Sequence, residues 1–340
     1  MSHARNRDGD HHHPTLLFRS FRHRVAGPLL PVLILLVIML VGLFGDAGMI
    51  WLPLLAAGPA LAATTNGPRG VLCVGLLAGA LASALRGRRE RVLADVRSVA
   101  EAAQHALLRP VPATVGPFEV AVRYSAAAAE ARIGGDLYAL VPTPYGVRMI
   151  VGDVRGKGLP AVGTAALVLG VFREAAYDEP DLLAVVDRIE RSLARNLGTD
   201  DFVTAVVAGY PRPGQLEVVN CGHAPPLLVG ASLAVTAVEP TQPAPPLGLR
   251  ALTDQTPSLQ VLPFADGDQL LLYTDGVIEA RDRDREFYPL VEGLARHLCD
   301  DPARTVGAVH DELLAHVGGR LHDDAALLLI RKPTTAPVPV

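Results

Sequence analysis

The feature that most restricts how this chain can fold is an uninterrupted apolar run near its start. Residues Val25–Gly45 are twenty-one positions without a charged side chain. As a helix rising about 1.5 Å per residue, the run would extend about 30 Å, which matches the hydrocarbon core of a bilayer. The run therefore predicts a transmembrane helix. A cleaved signal peptide is the alternative, but its cleavage-like sequence, Ala60-Leu61-Ala62, lies far beyond the usual position.

Two further apolar stretches follow, at Met49–Ala63 and Gly70–Leu85. Each is shorter than a standard span, so either could cross the membrane, tilt or re-enter. Arginines flank the whole region on both sides, and the positive-inside rule places both flanks in the cytoplasm. That orientation requires an even number of crossings, whereas three apolar stretches suggest three. The sequence leaves two and three crossings open.

Composition limits what the remainder of the chain can bind. Half of the residues are hydrophobic and the mean hydropathy is +0.29, which excludes a disordered chain. The formal net charge is −4, and residues 92–340 are acidic overall, which excludes nucleic acid as a partner. The three cysteines are widely spaced and form neither a disulfide framework nor a zinc motif, which favours a reducing compartment.

Residues 88–110 predict a helical linker between the apolar region and the next domain. Val92, Val96 and Val99 recur at helical spacing, and Pro110 ends the pattern. The stripe is consistent with a coiled coil that pairs two chains as a homodimer, or with a helix lying on the next domain. The predicted organisation is a basic leader at 1–24, a transmembrane region at 25–86, this linker, a catalytic domain at 112–332 and a loose tail at 333–340.

The catalytic part predicts an α+β fold with two packed antiparallel sheets flanked by helices. Strand-like runs occur in hairpin-like pairs, and helical segments are inserted in blocks rather than alternating with single strands. The strands are expected at 118–124, 137–141, 147–151, 202–210, 216–221, 227–229, 269–273 and 325–330. The helices are expected at 161–176, 181–196, 289–298 and 303–317.

Four aspartates stand at strand ends in this pattern. They are Asp136, Asp153, Asp275 and Asp323, and each adjoins a glycine or a strand terminus. Taken singly, an Asp-Gly pair predicts only a turn. Taken together, four such carboxylates could converge at one edge of the sandwich, where their oxygen ligands would suit Mg²⁺ or Mn²⁺. A pair of these ions would support phosphoryl chemistry through an activated water.

The sequence does not match the motifs of two other enzyme classes. The sequence GDVRGKG at Gly152–Gly158 looks like a phosphate loop, but it has too few residues before its Gly-Lys pair for a Walker A motif. A nucleophile elbow of the G-x-S-x-G type is also missing from the sequence, which argues against a covalent hydrolase.

A series of motifs resembles a known family. IGGDLY, VGDVRGKGLPA, DFVTAVV, VVNCGHAPPLLV, LLYTDGVIEA and HDDAALLLI occur, in this order, between residues 133 and 330. In order and spacing they resemble the PPM-type metal-dependent protein serine/threonine phosphatases, and within them the bacterial sporulation-phosphatase (SpoIIE-like) branch. The resemblance implies a sandwich of two sheets, a centre of two Mn²⁺ or Mg²⁺ ions, and a metal-activated water as the nucleophile.

The resemblance also implies ligands. Asp153 would bridge both ions, with the Val154 carbonyl beside it, and Asp136 would complete the shell of one ion. Asp275 and Asp323 would serve the other ion. Asp153 and Asp136 are thereby implied to act in catalysis, through the water that the ions hold.

Other positions in the motifs have less certain roles. Lys157, one of two lysines in a chain rich in arginine, could bind the substrate phosphate or be a solvated loop residue. His223 in the GHAPP turn is expected to be structural. The chain departs from the family pattern at Ala139, where an acid is usual, and at Ala326, where a hydroxyl is usual, which puts the orientation of the ligands in doubt.

These patterns lead to two hypotheses of different classes. The first is a membrane-anchored phosphatase with a cytoplasmic catalytic domain, whose substrate is implied to be a phosphorylated anti-anti-sigma-type regulatory protein. The second is a catalytically silent module that keeps the fold and binds the same partner. The complete set of acids favours the first.

Overall fold

The structure is a computed structural model that describes residues 31–37, 56–65, 67–126, 134–198, 201–230 and 232–334. Most of the predicted first transmembrane helix lies outside these residues, and its described part, 31–37, is helical. The chain divides into two compact units, Met1–Asp95 and Val96–Val340. The unit boundary falls inside the predicted linker at 88–110.

The first unit contains a short helix, α1, and most of a long helix, α2, whose last residues belong to the second unit. Helix α1 covers Ala57–Thr65, and helix α2 covers Pro68–Leu107 without interruption for 40 residues. The segment Pro68–Val92 is long and apolar enough to cross a membrane, although one or two such helices are weak evidence for a span. The predicted third apolar stretch and the predicted linker are therefore parts of one continuous helix.

The second unit consists of two stacked antiparallel sheets. One sheet has six strands in the order β1-β2-β11-β10-β7-β8, and the other has five in the order β3-β4-β5-β6-β9. The strands are β1 Thr114–Val115, β2 Phe118–Ser125, β3 Leu137–Thr143, β4 Gly146–Val154, β5 Val203–Arg212, β6 Gly214–Cys221, β7 Leu227–Val229, β8 Val235–Ala237, β9 Leu259–Phe264, β10 Gln269–Tyr273 and β11 Ala325–Arg331.

Helices cover the outer faces of the sheets. Helices α3 and α4 pack on the five-stranded sheet, while α6 and α7 pack on the six-stranded sheet. Their bounds are α3 Leu159–Asp178, α4 Leu182–Asn196, α5 Asp275–Ile278, α6 Leu290–His297 and α7 Pro302–His316. Helix α3 is also apolar and long enough to span a membrane, but its inner face is buried in the core. The predicted α+β class with two packed antiparallel sheets is confirmed.

The core between the sheets is formed by aliphatic side chains and one aromatic cluster. Phe118, Tyr210 and Phe264 meet edge to face, with ring centroids 4.9 to 6.2 Å apart. Such pairs add about 0.5–1.5 kcal/mol beyond the burial of their apolar area. This cluster holds β2, β5 and β9 together across the two sheets.

One strand of regular length was missed from the sequence. Strand β9 contains Pro263, which has no amide hydrogen, and a central strand, bonded on both sides, would need that donor. The structure places β9 at the edge of the five-stranded sheet, where only β6 pairs with it. A proline is tolerated there because one side of the strand needs no hydrogen bond. The short strands β1 and β8 were also not predicted.

Candidate metal centre

The antiparallel register brings the four predicted acids to the same edge of the sandwich. Asp136 directly precedes β3, and Asp153 lies near the end of the neighbouring β4, where Leu137 pairs with Gly152. Asp275 begins α5 soon after β10 ends, and β10 pairs with the strand that follows Asp323. Carboxylate oxygens of Asp136, Asp153 and Asp275 lie within 4.8 Å of one another.

Glycines next to these acids allow the segments to approach closely. A Cβ atom on Gly135 would lie 2.5 Å from the carbonyl oxygen of Val154, and one on Gly276 would lie 1.9 Å from that of Asp324. Both distances are shorter than any real contact between these atoms. The glycines in the Gly-Asp and Asp-Gly pairs are therefore required for packing between segments, and not only for turns.

Burial and mutual repulsion raise the pKa values of these carboxyl groups, because both disfavour the ionised forms. Burial, together with the charges of Asp275 and Asp323, raises the pKa of Asp153 to about 7. Burial and the charge of Asp153 raise the pKa of Asp136 well above its ordinary value. The pKa of Asp275 is also raised, first by burial and then by Asp323. A hard divalent cation among these oxygens would restore the ionised forms.

Asp323 forms an ion pair with a lysine. The ammonium of Lys157 lies 2.8 Å from each of its two carboxylate oxygens. The described residues that could hold an ion by distance are Asp136, Asp153 and Asp275, without Asp323. The structure thus brings three of the four predicted carboxylates together and places the predicted phosphate-binding lysine on the fourth.

The neighbouring Asp324 points into the protein, as only 2% of it is exposed. It accepts hydrogen bonds from the hydroxyl of Tyr124 and, at 3.1 Å, from the amide of Gly134. The side-chain amide of Gln104, on α2, lies 2.7 Å from that hydroxyl and 3.4 Å from Asp324. Burial and the charge of Asp324 raise the pKa of Tyr124, so the hydroxyl remains a donor.

Sequence reasoning did not find Gln104 or Tyr124. Tyr124 was recognised only as the end of a strand, and Gln104 lies in an alanine-rich helix. The polar side chain of Gln104 within that helix was the one available signal, and it did not specify a partner. Gln104 and Tyr124 together connect the C-terminal part of helix α2 to the segment before Asp136 and to Asp324.

Thr274 orients one of the predicted ligands. Its hydroxyl is fully buried, donates to Asp136 over 2.8 Å and accepts from the amide of Ala326 over 2.9 Å. This hydrogen bond lowers the pKa of Asp136, against the larger effect of burial. Asp136 therefore has a hydroxyl partner in Thr274, although Ala326 lacks the hydroxyl that is usual in the family at that position.

His223 ties the GHAPP turn to the site without pointing at the acids. One ring nitrogen, Nε2, lies 2.9 Å from the carbonyl oxygen of Tyr273, and the other, Nδ1, lies 3.0 Å from the hydroxyl of Thr204. Because a carbonyl only accepts, Nε2 carries the hydrogen. Burial lowers the pKa of His223 to about 4, so the ring is neutral at pH 7.

Comparisons with known proteins agree with this arrangement. The family model described as Stage II sporulation protein E (SpoIIE) matches residues 143–333, more than half of the chain. Phosphoserine phosphatase RsbU of Bacillus subtilis is 26% identical over 256 residues, which cover 73% of each protein.

Solved structures share the fold. The RsbU and RsbW domains of Rv1364c from Mycobacterium tuberculosis match with a TM-score of 0.56 and 26% identity, over 64% of this chain and 61% of that one. The chain thus spans less than two thirds of that relative. The SiaA-PP2C domain of Pseudomonas aeruginosa matches with a TM-score of 0.60 and 19% identity, over 72% of this chain and 98% of that domain.

These findings confirm the resemblance seen in the motifs. The sandwich, the order of its motifs and the convergence of three of the four acids all agree with the family match. The chain belongs to the SpoIIE family, and its second unit is a PP2C-type protein serine/threonine phosphatase domain.

Proposed function

We propose that the protein is a membrane-anchored phosphatase that uses Mn²⁺ or Mg²⁺ to hydrolyse phosphoserine or phosphothreonine on a regulatory protein. The observation that supports this most directly is the meeting of Asp136, Asp153 and Asp275 within 4.8 Å. Their carboxylate oxygens are hard ligands, which suit divalent ions of this class. Asp153 and the Val154 carbonyl would hold the ions together with Asp136 and Asp275, and Asp323 would complete the set.

Divalent ions bound there would lower the pKa of a water molecule and stabilise the charge on the phosphate oxygens. The chain itself keeps the ligands in place. Thr274 holds one oxygen of Asp136, and the Val154 amide donates to the carbonyl of Gly135 over 3.2 Å. These contacts fix the segments before β3 and at the end of β4, so that both carboxylates face the same space.

The substrate class is proposed from the relatives. RsbU of Bacillus subtilis is named as a phosphoserine phosphatase, and the Mycobacterium tuberculosis protein joins an RsbU domain to an RsbW domain. We infer that this chain acts on a phosphorylated anti-anti-sigma-type protein in a similar partner-switching system.

Anchoring in the membrane is proposed from helix α2 and its flanks. Pro68–Val92 is long and apolar enough to span, and arginines cluster at its end, which favours a cytoplasmic catalytic domain. Val92 and Val99 are 54% and 61% exposed on this helix. A homodimer through residues 88–110 would cover them, and charged substitutions at both positions should then change the oligomeric state in detergent.

The alternative is a silent module that binds the same partner. One experiment separates the two. The full chain in detergent is incubated with a phosphoserine protein and Mn²⁺, and released phosphate is measured. The proposal expects release that depends on Mn²⁺ and is lost in Asp153→Asn. The control, Asp254→Asn, removes a carboxylate from an exposed loop and should keep full activity. Equal rates for wild type and Asp153→Asn would contradict the proposal, and binding of the protein without release would favour the silent module.

A further inference from the structure

Lys157 is held against Asp323 by the shape of its loop. It lies between the end of β4 and the start of α3, and the residues on either side are Gly156 and Gly158, with φ angles of 100° and 84°. These angles are in the region that glycine adopts without strain. The loop turns the ammonium back onto the carboxylate, 2.8 Å from both oxygens, rather than leaving it in solvent.

This contact occupies the oxygens that a metal ion would need. A dication and an ammonium cannot both lie within about 3 Å of one carboxylate without strong mutual repulsion. Carboxylate oxygens of the other three acids lie within 4.8 Å of one another, whereas the ion pair of Lys157 is made with Asp323. An ion held by Asp136 and Asp153 would therefore not have to displace the ammonium of Lys157, whereas an ion at Asp323 would.

We propose that Lys157 competes with the divalent cation for Asp323, so that the chain binds one ion tightly and a second ion, at Asp323, more weakly. The inference rests on the proposed function, because it concerns the same metal centre. It assigns Lys157 a role in controlling occupancy of that centre, as a positioning residue for Asp323.

The choice of lysine suits an exchangeable contact. An ammonium is a compact point charge, while a guanidinium binds a carboxylate through two parallel hydrogen bonds. The chain has 31 Lys and Arg residues and only two of them are lysines, Lys157 and Lys332. Both members of the pair are partly exposed, at 34% for Lys157 and 44% for Asp323, so the contact is a weak one that a dication can replace.

The size of the effect follows from that exposure. Ion pairs of this kind shift an equilibrium by up to about fivefold. Removal of the ammonium in Lys157→Met should therefore tighten the weaker Mn²⁺ site by about two- to fivefold. Lys157→Arg keeps the charge and presents the rigid planar fork of a guanidinium, which holds a carboxylate more firmly than an ammonium does, so it should weaken that site. Opposite shifts in these two variants distinguish competition for Asp323 from a general effect of charge.

The test measures Mn²⁺ binding to the full chain in detergent, without substrate, by titration calorimetry and by the electron paramagnetic resonance signal of free Mn²⁺. The control is Arg155→Met, which removes a cation from the same loop. The guanidinium of Arg155 lies over the ring of Phe202. We expect two ions per wild-type chain, an unchanged tighter site in all three variants, and an unchanged weaker site in Arg155→Met.

Three results would contradict the inference. An unchanged weaker site in both Lys157 variants would show that no competition exists. A weaker site that tightens equally in Arg155→Met and Lys157→Met would assign the effect to net charge. Binding of no Mn²⁺ by wild type would overturn the proposed function itself, and this inference with it, whereas two bound ions with no response to Lys157 would overturn the inference alone.

Discussion

Replacement of Asp153 by asparagine should abolish activity and yet stabilise the metal-free protein. Asp153 is partly buried beside Asp136 and Asp275, and its ionised form is unfavourable there. Asparagine has nearly the same volume and no charge, so it removes the repulsion without leaving a cavity. The sign of the stability change is therefore opposite to that expected for most substitutions in a protein core.

The magnitude follows from the pKa of Asp153, which is about 7 in the folded protein. An unfolded aspartate titrates near pH 4, so the difference is about three pKa units, or roughly 4 kcal/mol. Because the folded pKa is the higher one, the folded state binds the proton more tightly. The loss of stability caused by ionising Asp153 is absent below about pH 4, grows between about pH 4 and 7, and is complete above that range. The free energy of unfolding of Asp153→Asn should thus exceed that of wild type by up to about 4 kcal/mol at pH 8 and by almost nothing at pH 4.

The buried thiol of Cys221 provides an assay that works in the full chain. Its side chain is fully buried at the end of β6, so it reacts with a thiol reagent only when the catalytic domain opens. Urea titrations in a chelator, with a short labelling pulse and mass spectrometry of the Cys221 peptide, give the free energy of unfolding. Saturating Mn²⁺ should then stabilise wild type and have little effect on the variant.

The control is again Asp254→Asn, which removes one carboxylate charge from an exposed loop and should leave the free energy of unfolding unchanged. The reasoning would be refuted by an Asp153→Asn variant that is no more stable than wild type at pH 8. A gain of the same size at pH 4 and pH 8 would also refute it, because repulsion between ionised carboxylates disappears at the lower pH.

Further predictions concern other parts of the chain. Arg148 is buried and donates to three carbonyls where α3 meets α4, over 2.6 to 2.9 Å, so Arg148→Met should lower the free energy of unfolding by about 2–4 kcal/mol in the Cys221 assay. Thr274→Val should reduce Mn²⁺ affinity or kcat by about 10- to 100-fold while the protein remains folded, and a wild-type metal titration would contradict this. Gln104→Leu should destabilise the domain by about 1–3 kcal/mol, since it removes the amide beside Tyr124, whereas Gln104→Glu should be worse because it adds a charge next to Asp324. An exported reporter fused after Val340 should be silent if the catalytic domain is cytoplasmic, and an active one would indicate an odd number of crossings.

The sequence alone was sufficient to predict the sandwich and the meeting of three aspartates at one edge of it. Asp136, Asp153 and Asp275 each belong to a short motif at a strand end, and antiparallel pairing of neighbouring strands brings such ends to one edge. The glycines beside them are also local signals, because close approach of two backbones excludes a side chain at those positions. Information of this kind is contained in a few adjacent residues, so it can be recognised before the fold is known.

Only the tertiary structure showed which side chains engage these acids. Lys157 and Asp323 are 166 residues apart in the chain, and Gln104 and Asp324 are 220 apart. No local pattern encodes such pairs, because they depend on the order of the strands in each sheet and on where helix α2 ends. The same is true of Pro263, whose strand is acceptable only because the fold places it at an edge. Local spacing determined which acids stand at the strand ends of this protein, whereas long-range packing decided which cation lies on Asp323 and which hydroxyl orients Asp136.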